Sequence, residues 1–282
     1  MPRDWFPGHM ARGERYIRQN LKYVDLVYEM ADARIPRTSR NPRADRLLGT
    51  AKGRILVLNK ADLADPRLTK EWVGYFSSRG LMSVALSTHD EGQMKELLSL
   101  SRAVKERVRP GRSGLRRKLR AMVVGIPNVG KSSFINRVAG RVKTPTGRKP
   151  GVTRGKLWVK VDQDLELLDL PGVLWPNLRQ PETLFRLAVT GVLSEEAYDR
   201  EEVAMRLMDW LVRHQPSCLE ERYGIAVAGH GLDLLRAIGK ERGCIRAGGE
   251  VDLAAAAGIV LREFRAGQLG RHTLEEPESA DG

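Results

Sequence analysis

Apolar residues in the first part of the chain fall in short runs: Leu26–Met30, Ile55–Leu58, Met82–Leu86, Ala121–Val124 and Leu165–Leu168. Segments of helix length separate them. Brief apolar runs alternating with helices predict strands of a mostly parallel sheet, covered on both faces, so the fold class is α/β. Beyond Leu174 the period changes. Glu182–Val189, Glu195–His214, Leu232–Arg242 and Asp252–Ala266 carry apolar residues at i, i+3 and i+4, with Gly or Pro between them, which predicts a smaller all-α domain. Pro176, in Leu174-Trp175-Pro176-Asn177-Leu178, marks the boundary because proline disfavours helix in the residue before it. The expected division is residues 1–177, 178–272 and a tail, 273–282, whose Glu275-Glu276-Pro277-Glu278 predicts disorder. Arg109-Pro110-Gly111-Arg112-Ser113-Gly114 reads as a flexible linker inside the α/β part.

Charge changes the picture next. The 282 residues include 48 Lys+Arg and 35 Asp+Glu, a net charge of +13, which favours polyanionic partners such as nucleic acid. A 41% hydrophobic share supplies a core and excludes a disordered chain. No apolar run approaches the ~18–20 residues that span a bilayer. Met1-Pro2-Arg3-Asp4-Trp5 lacks signal and transit character, and Cys218 and Cys244 stand far apart without metal-ligand spacing. The expectation is a cytoplasmic protein with no membrane association. Residues 1–177 carry +18, residues 178–272 carry −1 and the tail carries −4. Arg102–Arg120 holds nine Lys/Arg against one acid, and Arg141–Lys160 seven against none. Candidate RNA contacts are therefore Arg116, Arg117, Lys118, Arg148 and Lys149, with Lys240, Arg242 and Arg246 as a local patch in the helical part.

The sharpest chemical signal is Gly125-Ile126-Pro127-Asn128-Val129-Gly130-Lys131-Ser132, a G-x-x-x-x-G-K-[ST] loop between an apolar strand and the helix-like Ser133–Ala139. Its glycines let backbone N–H groups turn toward phosphate oxygens, and the following helix N-terminus adds positive potential. Asn128, Val129, Gly130, Lys131, Ser132 and Ser133 are the expected phosphate contacts, and the Ser132 hydroxyl suits Mg²⁺. Asp169-Leu170-Pro171-Gly172 supplies the second metal-side acid, Asp169, and a γ-phosphate donor, the Gly172 N–H. Thr153, in Pro150-Gly151-Val152-Thr153 between the two motifs, is a candidate third Mg²⁺ ligand.

Asn59-Lys60-Ala61-Asp62 follows the strand Ile55–Leu58 and resembles the N-K-x-D guanine-specificity motif of GTPases. A carboxylate at Asp62 accepts from the guanine N1–H and exocyclic amine, whereas adenine would leave it unpaired, so GTP is favoured over ATP. Ser87 and Thr88, in Ala85-Leu86-Ser87-Thr88, fit the next base-contact loop. The base motif precedes the phosphate loop, an order that resembles the circularly permuted GTPases. Within that group, Trp5-Phe6-Pro7-Gly8-His9-Met10, Asp32-Ala33-Arg34-Ile35-Pro36, Ser39-Arg40-Asn41-Pro42, Gly248-Gly249-Glu250-Val251-Asp252 and Gly270-Arg271 resemble the ribosome biogenesis GTPase A family over about residues 3–272.

That resemblance implies a GTPase that binds a late precursor of the large (50S) ribosomal subunit, hydrolyses GTP in response and leaves, acting as a monomer off the ribosome. It also implies that residues 178–272 form an ANTAR-like RNA-binding fold. Val173 stands after the D-L-P-G glycine, where a catalytic Gln is usual. His9 is the family's replacement for that Gln, although a histidine there equally suits a helix cap or an RNA contact. Asn128 marks the loop variant that coordinates K⁺ in similar GTPases. An RNA-binding chaperone whose nucleotide site only gates binding is the alternative from another class, and a GTPase acting on tRNA or another ribonucleoprotein is a third.

Overall fold

The computed structural model describes residues 7–49, 51–108, 118–140, 157–161, 165–169 and 180–278, those at 7–12, 157 and 169 through their backbone alone. The chain forms two compact units, Met1–Leu178 with Thr273–Gly282, and Arg179–His272.

In the first unit, β1 (Leu26–Asp32), β2 (Arg54–Asn59), β3 (Ser83–Leu86), β4 (Leu119–Gly125), β5 (Leu157–Lys160) and β6 (Leu165–Asp169) form one sheet in the order β3-β2-β1-β4-β6-β5. All neighbouring pairs are parallel except β5 with β6. Every residue of β1 is buried, as a central strand covered on both faces requires. Two of them are acids. Glu29 is compensated by Arg40 at 3.0 Å and by Arg54 at 2.9 Å. Helices α1 (Pro7–Leu21), α2 (Ala44–Leu48), α3 (Pro66–Ser78), α4 (Glu91–Val108) and α5 (Lys131–Val138) complete the unit. Helix α3 starts where Asp65 caps it, its carboxylate accepting the Leu68 N–H at 2.8 Å, with Pro66 pre-set for the first turn. Its Trp72 and Phe76 then pack on Leu56 and Leu58 of β2.

The five apolar runs read from the sequence are strands β1 to β4 and β6. β5 escaped that reading because Leu157-Trp158-Val159-Lys160 lies on an antiparallel edge, with Trp158 exposed and Val159 buried, and so has no continuous apolar stretch. The sheet order has a physical consequence. The chain builds outward from β1 to β2 and β3 on one side, then returns to β4 on the other side of β1, so the carboxyl ends of β1 and β4 flank a topological switch point.

The second unit contains α6 (Pro181–Val189), α7 (Arg200–His214), α8 (Ser217–Tyr223), α9 (Gly231–Glu241) and α10 (Leu253–Arg265). Leu207, Leu211, Leu235, Ile238, Val260 and Phe264 are among its buried residues. Gly231 opens α9 against the Met205 carbonyl, which an added Cβ would approach to 2.1 Å. The predicted helix Glu195–His214 is interrupted. A 3-10 turn spans Glu195–Ala197, Tyr198 is extended, and α7 begins afresh because the Asp199 carboxylate accepts the Glu202 N–H at 3.0 Å. Helix α8 was not anticipated; it has seven residues and ends at Gly224, φ +67°.

The expectation of a disordered tail is corrected for residues 273–278, which pack on the first unit. Thr273, Leu274 and Glu275 are buried and hydrogen-bonded there. Four acids in ten residues looked like a solvated end, but Glu275 finds two donors at Thr38. The linker at 109–114 and the boundary segment 174–178 lie outside the described residues. Among the described residues, no helix is long and apolar enough to cross a membrane.

Candidate guanine-nucleotide site

The carboxyl ends of β1, β2, β3 and β4 are brought level by strand register: Asp32 pairs with Asn59, Asn59 with Leu86, and Met30 with Gly125. The loops that follow these residues carry the base and phosphate motifs. Gly125 ends β4, the loop turns through Asn128 at φ +57° and Gly130 at φ +101°, and α5 starts at Lys131. Asn59 Nδ2 donates to Val129 O at 2.8 Å. A Cβ at Gly130 would lie 2.3 Å from that same Nδ2, so this glycine is required by contact as well as by φ. Asn59 Oδ1 is buried without a partner among the described residues, an acceptor whose cost a bound donor would relieve. Lys131 is buried, its Nζ donating to Gly125 O at 3.1 Å and Ile126 O at 2.7 Å, so it folds over its own loop. Val129 is buried, Ser132 half-buried and Ser133 exposed on α5.

Lys60 adopts φ +60°, and its Nζ donates to Asp32 Oδ2 at 2.8 Å. Asp32 has no exposed surface and also accepts from Arg34 through Nε at 2.9 Å and Nη2 at 2.8 Å, a two-pronged pair. Burial alone would push its carboxyl up. The charges of Arg34 and Lys60, with their hydrogen bonds, outweigh burial and hold it far below the usual carboxylate range. Ala61 starts a 3-10 turn and is buried, whereas Asp62 beside it is exposed. Ser87 follows β3, is buried and donates its N–H to Gln93 Oε1 at 2.6 Å; Thr88 is half-buried.

Other anticipated residues divide by place. His9 lies in the first turn of α1, where Pro7 suits the first helical position. Asp169 ends β6 beside Val123 of β4, which sets its backbone next to the strand that feeds the phosphate loop. Thr153, Gly172, Arg116, Arg117, Arg148 and Lys149 lie outside the described residues. Lys118 pairs with Glu166 at 3.1 Å, Arg242 with Glu263 at 3.5 Å and Arg246 with Asp252 at 3.0 Å; Lys240 is exposed at the end of α9. The Asp32–Arg34 pair was missed as chemistry. Its available signal was an acid ending an apolar run with an arginine two residues on, ahead of the N-K-x-D motif.

A loop after β2 that carries N-K-x-D, bonded to the G-x-x-x-x-G-K-S loop after β4, in that chain order, defines a circularly permuted P-loop GTPase. The family model described as 50S ribosome-binding GTPase matches residues 120–216. The chain is 43% identical over 279 residues to Ribosome biogenesis GTPase A of Bacillus cereus, covering 98% of this chain and 94% of that protein. It is 34% identical over 293 residues to Mitochondrial ribosome-associated GTPase 1 of Bos taurus, covering 96% and 88%. Among solved structures, GNP-bound YlqF from Thermotoga maritima superposes with a TM-score of 0.65 at 25% identity, covering 95% of this chain and 99% of that one. GDP-bound YlqF gives 0.66 at 25% identity, covering 94% and 100%. The chain belongs to the ribosome biogenesis GTPase A family. It is a GTP hydrolase involved in ribosome biogenesis, and GTPases of this kind use Mg²⁺. A serine hydroxyl at the first turn of α5 and a carboxylate residue at the end of β6 supply hard oxygen donors, so the residues present fit that ion.

Proposed function

We propose that this GTPase binds a precursor of the large (50S) ribosomal subunit, through rRNA and ribosomal proteins, at a late step of its assembly, and that GTP hydrolysis drives its release. The observation that carries the nucleotide part is the Asn59–Val129 hydrogen bond, which joins the base motif to the phosphate motif. Asp62 reads the guanine edge, with Asn59, Lys60, Ala61, Ser87 and Thr88 around the base. Asn128 to Ser133 and Gly172 hold the phosphates, phosphate oxygens taking the Lys131 ammonium from the loop carbonyls. Ser132, Asp169 and Thr153 are the Mg²⁺ side, where the ion offsets phosphate charge. Asn128 is the K⁺ ligand.

His9 orients the attacking water in place of the missing Gln, a task suited to a neutral imidazole near pH 7. The net +18 of residues 1–177 supports rRNA contact by this unit through Arg116, Arg117, Lys118, Arg148 and Lys149. Residues 178–272 are the ANTAR-like RNA-binding domain, adding Lys240, Arg242 and Arg246. The protein works in the cytoplasm and is a monomer off the ribosome. The test is steady-state GTP hydrolysis with and without purified large subunits, in K⁺ and in Na⁺. Acceleration by subunits and faster turnover in K⁺ are expected. Subunits that leave the rate unchanged overturn the ribosomal reading, and equal rates in the two salts overturn the K⁺ assignment.

A further inference from the structure

The chain returns to the first unit after His272, and Thr273, Leu274 and Glu275 are 4, 4 and 7% exposed there. Their contacts fall on the loops that follow β1 and β2 and on α3. Thr273 Oγ1 accepts the Asp65 N–H at 3.1 Å and donates to Ala33 O at 3.4 Å, so one hydroxyl staples both loops. Asp65 stands three residues beyond Asp62, and Ala33 directly follows Asp32. The Leu274 N–H donates to Arg34 O at 2.8 Å, holding the backbone of the residue whose guanidinium clamps Asp32 and, through it, Lys60. Glu275 closes the strap from both sides. Its carbonyl accepts from Trp72 Nε1 at 3.0 Å, and its carboxylate accepts the Thr38 N–H at 3.0 Å and hydroxyl at 3.2 Å.

Covering an apolar face needs only apolar side chains. Here a hydroxyl and a carboxylate are buried, which is costly unless their partners stay in place, so these contacts specify a geometry as well as covering surface. We propose that Thr273, Leu274 and Glu275 are positioning residues for guanine nucleotide: they hold the loop at 33–38 and the loop at 60–65 in the mutual setting that base binding uses. The inference rests on the assignment of base recognition to Asn59–Asp62. Coupling of this kind is reciprocal, so nucleotide tightens the strap as the strap tightens nucleotide.

The test uses the full chain and a fluorescent GDP. Thr273→Val keeps the shape and removes the hydroxyl; Thr273→Ser keeps the hydroxyl. GDP dissociation from Thr273→Val is expected to be roughly 5- to 30-fold faster than from wild type, the consequence of losing a buried hydrogen-bond partner. Thr273→Ser should dissociate GDP at the wild-type rate. A merely structural role would lower the melting temperature and leave dissociation from the folded protein unchanged, which overturns the proposal. Should Thr273→Val not fold, hydrogen exchange on the wild-type chain decides: bound GDP slows exchange of the Leu274 amide if the strap is coupled, and leaves it unchanged if it is not. Wild-type protein that binds ADP as well as GDP refutes the base assignment itself. Selective GDP binding with an indifferent strap refutes this inference alone.

Discussion

Asn59 Nδ2 donates to Val129 O at 2.8 Å across 70 residues of sequence. The bond ties the last residue of β2 to the turn before α5, so the loops that carry the N-K-x-D and G-x-x-x-x-G-K-S motifs form one piece although the chain presents them in permuted order. Asn59 is 2% exposed, which keeps water from substituting for the carboxamide.

Asn59→Ala removes the donor and leaves the Val129 carbonyl buried without it, a cost of about 1–3 kcal/mol. The Kd for GTP should rise roughly 5- to 100-fold at unchanged stoichiometry, measured by titration calorimetry. An unaltered Kd would mean that the two loops bind their ends of the nucleotide independently.

At Gly130 the constraint is steric. Gly130→Ala places a methyl group 2.3 Å from Asn59 Nδ2 and holds a side-chain-bearing residue at φ +101°. The strain is on the order of 1–3 kcal/mol, concentrated at the loop. Nucleotide affinity is expected to fall roughly 5- to 100-fold while the far-ultraviolet spectrum stays native. Wild-type GDP binding by this variant would show that the loop can move away from Asn59.

Much of the fold is legible in the sequence because strands β1 to β4 and β6 are short, mostly apolar runs and because the two loop motifs are local in sequence. What stayed hidden was non-local. Nothing near Thr273 announces that its hydroxyl meets Ala33 and Asp65, and an acidic tail reads as solvated until Thr38 appears beside Glu275. Asp199 likewise falls inside the segment Glu195–His214 that the apolar period marks as one helix, although an Asp followed three positions later by Glu202 is an N-terminal capping pattern. Strand β5 failed for a different reason. An edge strand needs to be apolar on one face only, so Trp158 and Val159 split between solvent and core.

Asp32 makes stability depend on pH. Its folded-state carboxyl is held far below the ordinary value by Arg34 and Lys60, against the opposing push of burial, whereas in the unfolded chain it titrates near about 3.9. The folded state therefore binds this proton less readily than the unfolded state. The stabilisation is complete above about pH 5 and is lost as pH falls toward the folded-state value. Asp32→Asn should cost about 3–5 kcal/mol at neutral pH by removing the buried charge that Arg34 and Lys60 share, and should flatten the acid limb. Urea unfolding of both proteins between neutral and acid pH tests this; parallel limbs would assign the acid sensitivity to other carboxylates.

His9 is expected to serve hydrolysis and not nucleotide affinity. His9→Ala should abolish the subunit-stimulated rate, a loss of roughly 10²- to 10⁴-fold if the imidazole acts on the water, while GTP titration gives the wild-type Kd. Undiminished stimulated turnover would return His9 to a capping or RNA-contacting role.

Base selectivity offers the most direct test of the site. Asp62 stands exposed on the 3-10 turn Ala61–Leu63, its backbone fixed by Lys60 at φ +60° and by the Lys60–Asp32 ion pair. A carboxylate there accepts two hydrogens from guanine, at N1 and at the exocyclic amine. Xanthine keeps the N1–H but presents a carbonyl where guanine has the amine, so its edge calls for one acceptor and one donor, which is what a carboxamide provides. Asp62→Asn should therefore lose GTP affinity and gain affinity for xanthosine triphosphate. Each direction should amount to roughly 10- to 100-fold, since one mismatched buried pair costs about 1–3 kcal/mol. The variant keeps side-chain size and the hydrogen bonds of Asp32, Lys60 and Asn59, so loss of both nucleotides would signal a damaged loop, whereas a swap of preference would place the guanine edge against residue 62. Unchanged GTP affinity would move base reading elsewhere in the site, with Ser87 and Thr88 the next residues to vary.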